Sequence, residues 1–205
     1  MTAHIPFTEV LKSIPGFFGI RLEEHPKYDV VDRIGDVEVR RYAPAVLAEI
    51  TLKGTHGKAL DHAFERLADY IFGGNQAHQT MAMTSPVLQR PEGTPWPASS
   101  RLGSDAEQWT IAFFLGNDLT AQEMPAPNDP AIHVVRVDTH LVAALTYHGN
   151  NTDDRRTRAR DQLVHALNGQ SVYRIDDRVM WAQFDGPVVL PFAKKNEAQV
   201  AVKRA

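Results

Sequence analysis

The chain has 205 residues, with 22 Lys and Arg against 25 Asp and Glu, for a formal net charge of −3. A 43% hydrophobic share beside 23% charged residues is the balance of a folded domain and excludes a disordered or fibrous chain. The slightly acidic balance gives no general basic surface for nucleic acid or an anionic membrane, and the absence of cysteine excludes disulfides, thiolate metal ligands, iron–sulfur clusters and cysteine nucleophiles.

An apolar lead over Phe7 to Ile20 is broken by Pro15 and Gly16. The first residues carry no basic run, which argues against a secretory signal and sets the expectation of a cytoplasmic protein. No apolar stretch approaches the ~20 residues of a spanning helix, so no membrane insertion is expected. Residues 1–27 are read as a lead segment and 28–205 as one domain. From Val37 to Tyr42 a period of two separates Val37, Val39 and Arg41 from Glu38, Arg40 and Tyr42, the mark of a strand. Pro44 ends it, and Ala45 to Leu52 reads as its partner.

A helix follows from about Gly57 to Phe72, because Leu60, Ala63, Phe64, Leu67 and Ile71 recur at three- and four-residue steps. Gly73-Gly74-Asn75 supplies its stop. Met81 to Gln89 reads as a strand with Pro86 at an edge or bulge, Pro91 to Asp105 as a surface loop, and Trp109 to Leu115 as an apolar strand. Asn117 to Pro130 is an irregular, proline-rich connection. Strands over Ile132 to Val137 and Leu141 to Tyr147, a helix over Thr152 to Leu167, and strands over Val179 to Phe184 and Asn196 to Val202 complete the chain. The order β-β-α-β-β thus occurs twice, over about 28–117 and 130–203. This predicts an α+β fold of eight strands with one helix on each half.

No catalytic signature stands out. G-x-S-x-G, a phosphate-binding glycine loop and H-E-x-x-H are all missing. The nine histidines are scattered without an i, i+4 pair on a helix, and as a set they favour no metal site. Met81 and Met83 read as core filling. Arg155, Arg156, Arg158 and Arg160 are flanked by Asp153, Asp154 and Asp161, the pattern of a solvated helix face. An enzyme is the least supported class.

Five stretches in register carry a family resemblance. They are Tyr28-Asp29-Val30-Val31 with Val37 to Ala45, Tyr70 to Asn75, Met81 to Val87, Pro125 to Asp129, and Gly186-Pro187-Val188 with Lys194 to Glu197. In these the chain resembles the SOUL/heme-binding protein family over about Tyr28 to Lys203. The resemblance implies a distorted antiparallel β-barrel of two pseudo-symmetric halves, similar to GyrI-like effector-binding domains. It also implies non-enzymatic binding of heme or a related tetrapyrrole in an apolar cleft beside the first helix, for buffering, transport or sensing. Phe64 and Phe184 are the expected walls, with His62, Arg66 or Arg41 as polar contacts. His62 projects almost opposite the apolar stripe. The family's proposed histidine iron ligand falls at Arg41, and a guanidinium does not coordinate iron, so the heme is expected to be weakly ligated or unligated.

Asp61, Glu65 and Asp69 stand at i, i+4 and i+8, along one edge of the first helix. If that edge rims the cleft, each acid within ~4–6 Å of a propionate repels it by about 1 kcal/mol or more. The same acids suit a cationic amphiphile, which gives a second reading as an effector-binding or sequestering module. A third is a cleft for a partner's apolar segment.

Overall fold

The computed structural model describes residues 25–92, 108–117, 119–175, 179–186 and 189–205. The apolar lead, most of the 91–105 loop and residues 187–188 of the last shared stretch lie outside the described residues. Ten strands form one antiparallel sheet: β1 (Tyr28–Ile34), β2 (Val37–Tyr42), β3 (Ala45–Lys53), β4 (Val87–Pro91), β5 (Gln108–Asn117), β6 (Ile132–Val137), β7 (His140–His148), β8 (Tyr173–Ile175), β9 (Met180–Gln183) and β10 (Lys195–Arg204). Two α-helices, α1 (His56–Ile71) and α2 (Asp153–Asn168), and two single-turn 3-10 helices, Ala121–Glu123 and Pro191–Ala193, interrupt the run of strands among the described residues.

The strand order is β1-β2-β7-β10-β9-β4-β5-β3-β6, with β8 attached to β10. The expected barrel closure is overturned, since the path ends at β1 on one side and β6 on the other and the sheet is open. Two strands also exceed the expected eight. Tyr28–Ile34 pairs with β2 through an irregularity between Val30 and Asp32 that breaks its alternation, and Tyr173–Ile175 is only three residues long.

Both α-helices cover the same face. α1 packs on β3 and β5, and α2 on β7 and β10. The stripe Ala63, Phe64, Leu67 and Ile71 is buried against Ile50, Ile111 and Phe113 from below, and Ala159, Leu163 and Leu167 of α2 join the same core. A smaller core of Leu47, Leu88, Ala112, Phe114, Val137, Met180 and Ala182 occupies the other face, which carries no α-helix among the described residues. The split follows from the two-residue period of a strand, so Phe113 and Phe114, though consecutive, serve opposite faces.

Local chemistry fixes the ends of α1. The Phe72 N–H donates to the Ala68 carbonyl at 3.0 Å, Gly74 N–H donates to the Asp69 carbonyl at 2.8 Å, and Gly73 adopts φ 111°. That left-handed φ is open to glycine at no steric cost. Buried Asn75 then donates from Nδ2 to the carbonyls of Tyr70 (2.9 Å) and Gln79 (2.7 Å). The Tyr70 hydroxyl donates to the Pro125 carbonyl at 2.9 Å, and Arg66 grips Asp129 at 2.6 and 2.7 Å. Two of the five shared stretches, Tyr70 to Asn75 and Pro125 to Asp129, therefore fasten α1 to the segment ahead of β6. No described helix is long and apolar enough to cross a membrane.

Candidate functional site

The face that carries no α-helix among the described residues holds an apolar trough. Its walls are Leu47, Leu88, Phe114 and Met180 from the smaller core, Tyr28, Tyr42 and His140 on one flank, and Phe184 with Pro86 on the other. It holds about 580 Å³ of space, counted with the part open to solvent. Tyr42 stacks on His140 at 5.5 Å between centroids and an interplanar angle of 12°, and Tyr28 leans on Tyr42 at 5.0 Å. The cross-strand pairing of Tyr42 with His140 produces that stack.

A buried ion pair supports the aromatic flank. Arg40 and Glu197 are 3% and 0% exposed, and Arg40 Nη1 donates to Glu197 Oε2 at 2.8 Å. Arg40 Nε also donates to Glu38 at 2.8 Å, and its guanidinium lies 4.4 Å over the Tyr28 ring. Glu197 further accepts from Gln199 Nε2 at 2.7 Å and meets Lys195 Nζ at 3.1 Å. Burial alone raises the Glu197 carboxyl, but Arg40, Lys195 and Gln199 outweigh it and hold the group below the ordinary carboxylate value. Burial and the nearby Glu197 charge push the Tyr42 phenol up, so it stays neutral. The network is satisfied within itself and offers the trough the amide of Gln199 and the hydroxyl of Tyr42 rather than a bare charge.

The sequence-derived residues separate into two groups. Phe184 lines the trough, with Lys195 Nζ 4.2 Å over its ring. Arg41 is exposed and borders a shallow hollow that continues from the trough past Tyr28, Tyr42 and Ala43. The α1 residues lie elsewhere, and here the expectation needs correction. Phe64 is 1% exposed and packs edge-on against Phe113 at 5.2 Å, so it is a core residue and not a cleft wall. Arg66 is held by Asp129, whose carboxyl it keeps below the usual range, and His62 is exposed on the outer side of α1. Asp61 and Glu65 are half-buried and Asp69 is exposed, all on a helix that covers the opposite face. They do not rim the trough. The physical reason is that the apolar stripe of α1, Ala63, Phe64, Leu67 and Ile71, is buried against the sheet beneath it.

Reading the sequence for helices missed the opposite face. The signal was present in β2, where alternation had already set Glu38, Arg40 and Tyr42 on one side together. Glu197 and Gln199 on an apolar strand form a second such signal, because polar side chains in a buried strand need partners.

A family model described as SOUL heme-binding protein matches residues 23–201. No curated protein matches the chain at a significant level. Among solved structures, the C-terminal domain of EcmrR is similar with a TM-score of 0.61 at 9% identity, over 87% of this chain and 99% of that one. EcmrR in a cryo-EM complex with DNA gives 0.62 at 9% identity, over 82% of this chain and 57% of that one. A crystal structure of a hydrolase from Listeria innocua gives 0.52 at 11% identity, over 84% and 94%. At these identities the likeness shows the fold alone.

Proposed function

The chain belongs to the SOUL heme-binding protein family, and from that premise we propose that it binds a tetrapyrrole, without catalysis, in the trough on the face opposite α1 and α2. The observation that carries this reading is the trough itself, walled by Tyr28, Tyr42, Phe114, Phe184, Leu47, Leu88 and Met180 on a sheet whose other face is packed beneath α1 and α2. The residues suit the group. Aromatic and aliphatic walls match the flat apolar body of a porphyrin, which gains roughly 25 cal/mol per Å² of apolar surface removed from water. Arg41 and Lys195 stand at the margins, where carboxylate substituents of the macrocycle reach solvent. With Asp61, Glu65 and Asp69 on the other face, the repulsion expected of an acidic rim does not apply.

The cationic-amphiphile reading has less support. Glu197, hydrogen-bonded to the trough residue Gln199, already carries Arg40 and Lys195 as well. Equilibrium titration of the full chain with metal-free protoporphyrin, followed by absorbance and by quenching of tryptophan fluorescence, tests the proposal. Saturable 1:1 binding is expected, weakened at least tenfold in Ala45→Phe, which fills the trough. Asp61→Asn/Glu65→Gln is expected to leave it unchanged. Binding that ignores Ala45→Phe but responds to the α1 pair would overturn the location. A cationic dye that saturates where protoporphyrin does not would favour the second reading.

A further inference from the structure

Two imidazoles border the trough, and their surroundings differ in a way that matters for metal chemistry. His140 Nδ1 lies 2.7 Å from the carbonyl oxygen of Asp138. A carbonyl only accepts, so Nδ1 must carry the proton and Nε2 must carry the lone pair. Nε2 has no hydrogen-bond partner among the described residues, and the ring is held flat against Tyr42. His25 is held differently. Its Nδ1 sits 2.9 Å from the Ser85 hydroxyl, which can donate or accept, and its contact with the Ser85 carbonyl oxygen is 3.4 Å, much longer than that of His140 with Asp138, so its tautomer is less firmly fixed.

An imidazole whose Nδ1–H is tied to a backbone carbonyl while Nε2 is left for another partner is the arrangement that orients a histidine for a metal and raises its basicity, and His140 is among the residues that line the trough. Arg41, which stands where the family resemblance places a ligand, offers no lone pair. The residue paired with its neighbour Tyr42 across the β2–β7 ladder does. We infer that His140 is the axial ligand through which this chain holds the iron of a metalloporphyrin in the trough. The inference rests on the tetrapyrrole reading above and adds to it the residue and the atom, Nε2. The remaining aromatic walls hold the macrocycle whether or not it carries a metal.

The test separates the two levels. Full-length wild type, His140→Ala and His25→Ala are titrated with hemin and, in parallel, with metal-free protoporphyrin, and the Soret and charge-transfer bands are recorded. In His140→Ala, protoporphyrin affinity is expected to stay within about threefold of wild type. Hemin affinity is expected to fall at least tenfold, the ligated spectrum should disappear, and added imidazole should restore it. His25→Ala is expected to keep the wild-type hemin spectrum. A hemin spectrum unchanged in His140→Ala, or one lost only in His25→Ala, overturns the assignment while leaving the tetrapyrrole reading intact. Failure of wild type to saturate with either porphyrin overturns both.

Discussion

The two faces of the sheet are built from the same strands and have opposite fates. On one, β3, β5, β7 and β10 lie beneath α1 and α2, and residues such as Phe64, Leu67, Phe113 and Leu163 are 3% exposed or less. On the other, no α-helix packs among the described residues, and an apolar strip is flanked by ion pairs, Arg40 with Glu197 and Arg90 with Glu49. Apolar side chains alone do not mark a binding surface, because the covered face has more of them. Apolar side chains left without a covering element, beside polar groups that satisfy one another, do.

Changes on each face put this contrast at risk. Phe64→Ala is expected to cost about 3–5 kcal/mol in chemical denaturation, the cost of deleting a buried aromatic ring, and Glu197→Ala a similar amount because Arg40 would be left with a single carboxylate partner, Glu38. Neither figure would hold if α1 bordered a cleft or if the Arg40 network were open to water. The next effect is a pH dependence on the covered face. Burial, with the Arg156 charge behind it, lowers the His56 pKa to about 4, against an ordinary value near 6.5. The unfolded chain therefore binds the extra proton first as pH falls. Stability should decline from about pH 6.5 down to about pH 4, by about 3 kcal/mol in all, and level off below. Carboxylates titrate in the lower part of that range, so the measurement is the difference between wild type and His56→Gln.

Gly74→Ala comes next, at about 1–3 kcal/mol, because a Cβ there would overlap the Asp69 carboxylate and stand 2.8 Å from the Asp69 carbonyl oxygen. The smallest change in stability, within about 1 kcal/mol, is expected for Phe184→Ala, whose ring is half-buried at the trough. It should weaken protoporphyrin binding several-fold all the same, and a loss of stability as large as that of Phe64→Ala would erase the distinction between the faces.

Much of the fold was legible in the chain. The 3.6-residue stripe placed α1 to within a residue at each end, and the glycines after it marked its stop. Strands with clean alternation were found, whereas β1, broken by an irregularity, and β8, three residues long, were not. Of the residues named from the sequence, Phe184 lines the trough and Arg41 the hollow beside it, whereas Phe64, His62, Arg66 and the three acids stand on α1, which packs on the other face; periodicity tells which residues share a side and not what lies against it. His140 was invisible for a related reason. Its environment is made by Tyr42 and Asp138, and only pairing of β2 with β7 brings the first of these to it.

The consecutive phenylalanines of β5 set a limit on how this protein can change. Inserting one residue upstream within that strand, with its pairing to β3 and β4 kept, would exchange the roles of Phe113 and Phe114 and of every neighbour beyond them. Length variation among natural or engineered versions should therefore collect in connections such as the one between β4 and β5, while the spacing inside β5 itself stays fixed.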